Sequence, residues 1–211
     1  MTDSTFKVLL TGFSEGISGA TARMLAKQAK DAGQTLKIVG TASGTKPEPS
    51  GLISDLEAFG AEVLYLTGDL ADVDVAKNLG EQALEFCGGM DVLVSNAGGV
   101  SPGRLTDLPI EKWERQFDLN TRATLILAQV LYPALKDARG ALVAVASMSG
   151  MFAHLGQAAY SPAKAALISM VRNLAQEWAP DGIRVNAVAP GMIETPLTAG
   201  VYAHDLSLIH I

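Results

Sequence analysis

The chain alternates between short apolar runs and stretches whose apolar residues return at helical spacing. Residues 6–11, 36–40, 61–66, 90–94, 141–146 and 183–188 are runs of five or six residues with the length and composition of buried strands. Between them, residues 20–32, 52–59, 72–86, 109–136 and 160–178 place apolar side chains three and four apart, which predicts helices. Residues 43–50, with Gly44, Pro47 and Pro49, read as a loop, and Asp181 with Gly182 as a turn. Strands alternating with helices predict an α/β fold: a parallel sheet covered on both faces. Right-handed crossovers make it doubly wound, with six strands. No linker, repeat or low-complexity stretch divides the pattern. Residues 1–200 therefore read as one domain and 201–211 as an irregular tail.

Ligands of such sheets bind at the carboxyl ends of the strands. Gly12, Asp69, Asn96, Ser147 and Gly191 all lie just after predicted strands and so converge on one edge. The first of these positions opens a glycine-rich turn, Gly12 to Gly19 with Gly16 inside it, between the first strand and the first helix. Glycines there let the backbone approach a phosphate, and free N–H groups at the helix start point at it.

Tyr160 and Lys164 are four apart and share one helix face. A phenol titrates near pH ~10 in water, and an ammonium one turn away is expected to lower that value. Such a tyrosine can exchange a proton with a substrate at neutral pH. Pro162 fits only if the helix is just beginning, because a first-turn proline lacks an N–H that has no partner anyway. Tyr160 then also lies near the positive end of the helix dipole.

Composition narrows the classes. Hydrophobic residues make up 48% of the 211 and charged residues only 18%, which suits a globular protein with much buried sheet. A net charge of −6 with no basic run disfavours a nucleic-acid partner. The single cysteine, Cys87, excludes an internal disulfide and reads as a small core residue. His154, His204 and His210 are too scattered for a metal site, and His154 reads as a loop histidine. No charged-then-apolar leader opens the sequence and no apolar run approaches membrane-spanning length. The expected compartment is the cytoplasm, with no membrane partner.

Several residues have an ordinary reading beside the chemical one. Asn120 reads equally as a solvated polar residue, Ser147 and Ser149 as turn residues, and Asn96 as a side chain closing its own turn. Trp178, Ala166, Met170 and Leu174 read as core or subunit contact.

Taken together, the motifs from Phe6 to about Thr198 resemble those of the short-chain dehydrogenases/reductases. Thr11, Gly12, Gly16 and Ile17 resemble that family's cofactor turn, Asp69 and Leu70 its adenine contact, and Ser95, Asn96, Ala97 and Gly98 its N-N-A-G element. Asn120, Ser147, Tyr160 and Lys164 match its catalytic tetrad in order and spacing. Residues 182–191, ending in Pro190 and Gly191, are similar to its segment before the nicotinamide site. The resemblance implies a Rossmann-type fold binding NAD or NADP and an oxidoreductase acting on an alcohol or ketone. Tyr160 would be the general acid/base, Ser147 would orient the substrate oxygen, and Lys164 would hold the nicotinamide ribose. Asn120 would disturb its helix locally and position a water behind Lys164. The implied cofactor contacts extend over Gly12, Ser14, Gly16, Ile17, Asp69, Leu70, Asn96, Ala97, Gly98, Tyr160, Lys164, Pro190, Gly191, Ile193 and Thr195. The resemblance also implies a homodimer or homotetramer. Ala123, Leu127 and Ala166 suit such packing and suit a monomer core as well.

The chain departs from the family's pattern at four places. Ser18 stands where the third glycine is usual, and either narrows the pyrophosphate site or is absorbed by a small shift. The end of the second strand, Gly40 to Ser43, carries no acid to bind the NAD ribose, which leans to NADP, with Lys46 in support. Glu15 opposes that, since it would repel a phosphate. Finally, the family's substrate-covering segment and seventh strand have no counterpart, and Ser207 to Ile211 resemble a translated adaptor. That reading expects a truncated frame, an uncovered sixth strand and an incomplete substrate pocket. Nucleotide binding without turnover, or a structural module of the same fold, are the competing functions.

Overall fold

Alternation within the strands sorts the core into two layers. In β1 (Thr5–Thr11), Leu9 faces one apolar cluster while Val8 and Leu10 face another on the opposite side of the sheet. The computed structural model describes residues 4–45, 47–195 and 198. The other strands are β2 (Thr35–Ala42), β3 (Glu62–Thr67), β4 (Val92–Ser95), β5 (Ala141–Val145) and β6 (Arg184–Val188). All pairings are parallel, in the order β3-β2-β1-β4-β5-β6.

Helix α1 (Ile17–Asp31) lays Ala22, Ala26 and Ala29 on one face of this sheet, beside Leu52 and Leu56 of α2 (Ser50–Ala58). The other face is covered by α3 (Val73–Cys87), α5 (Ala123–Asp137) and α6 (Tyr160–Trp178), through Leu79, Leu127, Leu131, Leu135, Leu167 and Leu174. Each fully buried leucine contributes roughly 1.5–3 kcal/mol. Ala123, Leu127, Leu174 and Trp178 belong to this core, so the monomer-core reading of those residues is the one realised.

Because β1 lies between β2 and β4, the chain winds outward to β3 and then crosses back to β4. That reversal opens a crevice at the carboxyl ends of β1 and β4, where ligands of such sheets bind.

Two helices depart most from the sequence pattern. Helix α1 begins at Ile17, three residues before the expected start, so Ile17, Ser18 and Gly19 form its first turn; a Cβ on Gly19 would come 2.9 Å from the Ser14 carbonyl oxygen. The long helix expected over 109–136 is interrupted. α4 (Ile110–Phe117) and α5 flank a π-helical turn, Asp118–Arg122, in which the Ala123 N–H donates to the Asp118 carbonyl. The local disturbance expected at Asn120 takes this form. Among the described residues β6 pairs only with β5, leaving Val188 48% exposed at the sheet edge. The expected tail, 201–211, and Lys46 lie outside the described residues.

Candidate active site

Thr11 and Asn96 join the ends of β1 and β4. The Thr11 hydroxyl accepts from the backbone N–H groups of Asn96 and Ala97, at 3.0 and 2.9 Å. Asn96 in turn donates from Nδ2 to the carbonyls of Thr11 and Gly12, at 3.1 and 3.4 Å. It therefore bridges two strands instead of closing its own turn. Gly12 has φ +69, and a Cβ there would meet Asn96 Nδ2 at 2.8 Å, so both backbone and space demand glycine. Gly16 caps α1 with no side-chain hydrogen bond among the described residues, which leaves the first helical N–H groups for an anion.

Ser18 is absorbed into this loop. The residue is 2% exposed, and its hydroxyl lies 2.7 Å from the Gly12 carbonyl and 2.9 Å from that of Ser14 and accepts from the Ser14 N–H at 3.2 Å. The side chain braces the turn from inside. Glu15 is drawn back along α1: Arg23 binds both its oxygens, at 2.9 and 2.8 Å, and also reaches Asp55 at 2.8 Å. The guanidinium holds the Glu15 carboxyl below its usual range.

Tyr160 is the first residue of α6, with Pro162 in its first turn as expected. One turn on, Lys164 is 3% exposed and its ammonium donates to the Val145 carbonyl at 2.8 Å. It sits 5.7 Å from the centre of the Tyr160 ring. Burial pushes Lys164 down to about 8. Burial also pushes the Tyr160 hydroxyl above its usual value, with a hydrogen bond to Ser147 pulling the other way. The sequence expectation that Lys164 lowers the phenol is not met: burial is the larger influence on Tyr160, and the hydrogen bond to Ser147 is what opposes it. Ser147 Oγ accepts from the Ser149 N–H at 3.1 Å, so it serves the turn after β5 while facing the cleft.

Asn120 is not solvated. It is 1% exposed, donates to the carbonyls of Gly99 and Gln116 at 3.0 Å each, and accepts from the Gly99 N–H at 3.2 Å. Gly98 lies where Asn120 and Lys164 meet: a Cβ would come 2.6 Å from Asn120 Oδ1 and 3.3 Å from Lys164 Nζ. A cleft of about 140 Å³ brings together Ile17, Asn96, Gly98, Ser147, Tyr160, Lys164, Pro190, Gly191, Ile193 and Thr195. His154 is an exposed loop residue whose Nδ1 is 3.2 Å from the Phe152 carbonyl, and Cys87 is buried with its thiol pushed up to about 11.

The sequence model of the short chain dehydrogenase family matches residues 7–205. The chain belongs to this family. It is thus an NAD(P)-dependent oxidoreductase acting on CH–OH or keto groups, as its homologues are. Among its relatives, the 3-oxoacyl-[acyl-carrier-protein] reductase of Synechocystis sp. is 32% identical over 208 residues, covering 98% of this chain and 82% of the relative. A short chain dehydrogenase from Burkholderia cenocepacia in complex with NADP superposes with TM-score 0.85 at 29% identity, covering 96% of this chain and 81% of that one. The NADH-dependent reductase A1-R' complexed with NAD gives 0.82 at 26% identity, covering 94% and 87%. Both nucleotides therefore occur among structures with this short-chain dehydrogenase fold.

In this family member the expected adenine contact is already engaged. Arg115 of α4 binds both oxygens of Asp69, at 2.6 and 3.0 Å, and holds its carboxyl below the usual range. Leu70 is 4% exposed, with its side chain in the core. Sequence reasoning passed over Arg115 and Arg122, whose partners lie 46 and 51 residues away on the loop after β3. It also passed over the Val145 and Gly99 backbone groups, which carry no side-chain signal.

Proposed function

We propose that Tyr160 exchanges the proton with a ketone or secondary alcohol whose oxygen Ser147 orients, with Lys164 and Asn120 supporting them. The single observation that carries this is the one cleft lined by Ser147, Tyr160 and Lys164 beside the glycine loop at the β1/β4 crevice. The cradle fits a dinucleotide: Gly12 and Gly98 stand where any side chain would collide, and no side-chain hydrogen bond among the described residues caps the α1 N-terminus. Gly12, Ser14, Gly16, Ile17, Asn96, Ala97 and Gly98 would hold its phosphate and ribose portions, the segment of Asp69 and Leu70 its adenine, and Pro190, Gly191, Ile193 and Thr195 its nicotinamide end. When bound, the nicotinamide supplies or accepts the hydride. Ser147 donates to the substrate oxygen, Tyr160 passes the proton, and Lys164 fixes the cofactor ribose.

We lean to NADP over NAD. The end of β2 carries no acid, and Arg23 draws the Glu15 carboxylate back and shares its charge. The substrate body is apolar: Met148, Met151, Phe152 and Leu155, which follow β5, expose their side chains. We keep residues 1–200 as one nucleotide-binding domain acting in the cytoplasm as a dimer or tetramer. A buried, unreactive Cys87 suits that compartment, and no helix among the described residues is long and apolar enough to cross a membrane.

Titration with NADH and NADPH, followed by nucleotide fluorescence, tests the cofactor half. Oxidation of the preferred nucleotide by a panel of apolar ketones tests the rest. Binding with no turnover on any ketone would leave the competing reading, a nucleotide binder without catalysis.

A further inference from the structure

Two arginines seven residues apart, Arg115 in α4 and Arg122 as the last residue of the π turn, both reach the same distant loop. From the α4 side, Arg115 takes both oxygens of Asp69. From the other side, Arg122 donates to the Ala71 carbonyl at 2.7 Å while its second nitrogen pairs with Asp118 at 2.8 Å. The loop is further tightened by Asp69, which accepts from the Ala71 N–H at 3.0 Å. Arg115 and Arg122 thus clamp residues 69–71 onto the turn that carries Asn120. The turn is fastened to the catalytic helix as well: the Thr121 hydroxyl donates to the carbonyl of Ala163, the residue before Lys164, at 2.7 Å. Asn120 closes the set by holding both backbone groups of Gly99.

We infer that Arg115 and Arg122 are positioning residues, which make the loop after β3 and the π turn one unit, so that filling the adenine end of the cofactor site tightens the turn around Asn120. This rests on the nucleotide-binding reading above. The physical basis is geometric. A bidentate guanidinium–carboxylate pair fixes both distance and orientation. A π turn carries one residue too many for the α ladder, so its shape depends on external ties. The ties are direct, from Asp69 and Ala71 to Arg115 and Arg122 and from Thr121 to Ala163.

The test uses 5′-AMP, which carries the adenosine half of the cofactor and nothing that reaches Asn120. NMR hydrogen exchange is read at the Gly99 amide, bonded to Asn120, and at the Ala123 amide, which closes the π turn. In the unaltered chain, saturating AMP is expected to slow both by about fivefold or more, the low end of ordinary coupling between sites. Arg115→Met and Arg122→Met should each still bind AMP yet lose the slowing, and Arg115→Lys should recover part of it. Both arginines are partly exposed, so the fold is expected to survive, and unchanged exchange elsewhere in the sheet reports that it does. If AMP binds the unaltered chain but leaves Gly99 and Ala123 unchanged, or if both Met variants keep the slowing, the coupling is overturned while nucleotide binding stands. If AMP fails to bind while NADH or NADPH binds, the adenine end is no site by itself and the inference is overturned with the nucleotide reading intact; if all three fail, the nucleotide reading falls and takes the inference with it.

Discussion

The Lys164 ammonium is bonded to the Val145 carbonyl at 2.8 Å inside the protein, where burial lowers its pKa to about 8. A lysine whose folded pKa lies below its unfolded value favours the neutral form on folding. The native state then binds fewer protons than the unfolded state between about pH 8 and pH ~10.4. Its cost is complete below pH 8 and disappears as pH rises through that window. Lys164→Met is therefore expected to melt later than the unaltered chain at pH 7. The gap should narrow by up to about 3 kcal/mol on going to pH ~10.5. Thermal unfolding at several pH values checks this, and a gap independent of pH would contradict it.

Tyr160→Phe removes the proton donor and keeps the ring. Turnover is expected to fall by about 10²- to 10⁴-fold, the range of general acid–base contributions, while the nucleotide dissociation constant changes less than about threefold. Parallel binding and rate measurements separate the two, and undiminished turnover would take Tyr160 out of the mechanism.

Gly98→Ala brings a methyl 2.6 Å from Asn120 Oδ1. That oxygen cannot swing away cheaply, because the amide is held by Gly99 and Gln116 in a buried site. The variant is expected to lose about tenfold or more in kcat and to free the Gly99 amide to exchange. Steady-state kinetics with hydrogen exchange reads both.

Glu15→Gln removes the one acid in the glycine turn, and Arg23→Met leaves that acid uncompensated. The ratio of NADPH to NADH affinity should rise by about threefold to tenfold in the first and fall in the second, with the difference shrinking in high salt. Equal ratios in both variants would mean that Glu15 plays no part in nucleotide choice.

Ser18→Ala deletes the hydroxyl that braces the Gly12 and Ser14 carbonyls and the Ser14 N–H. Leaving these partly buried groups without that partner is expected to cost about 1–3 kcal/mol in stability and to weaken nucleotide binding. Denaturant unfolding and the fluorescence titration measure the two effects.

The order of strands and helices was legible along the chain because burial on a sheet imposes period two or continuous apolar runs, and burial on a helix imposes spacing of three and four. These are local signals, and Val8, Leu9 and Leu10 or Ala22, Ala26 and Ala29 carry them directly. The convergence of Gly12, Asp69, Asn96, Ser147 and Gly191 on one edge followed from topology alone, since parallel strands all end on the same side. Tertiary structure alone decided the rest. The pairing of Asp69 with Arg115 and of Ala71 with Arg122, and the tying of Thr121 to Ala163, join residues 42 to 51 positions apart. No periodicity reports such contacts. The capture of Lys164 by the Val145 carbonyl depends on a partner that every residue type possesses, and the burial that raises Tyr160 against expectation depends on packing that no local pattern announces. Ser18, a departure from the pattern in the sequence, became a brace only once the loop folded around it, because a hydroxyl's effect is set by which carbonyls lie within reach.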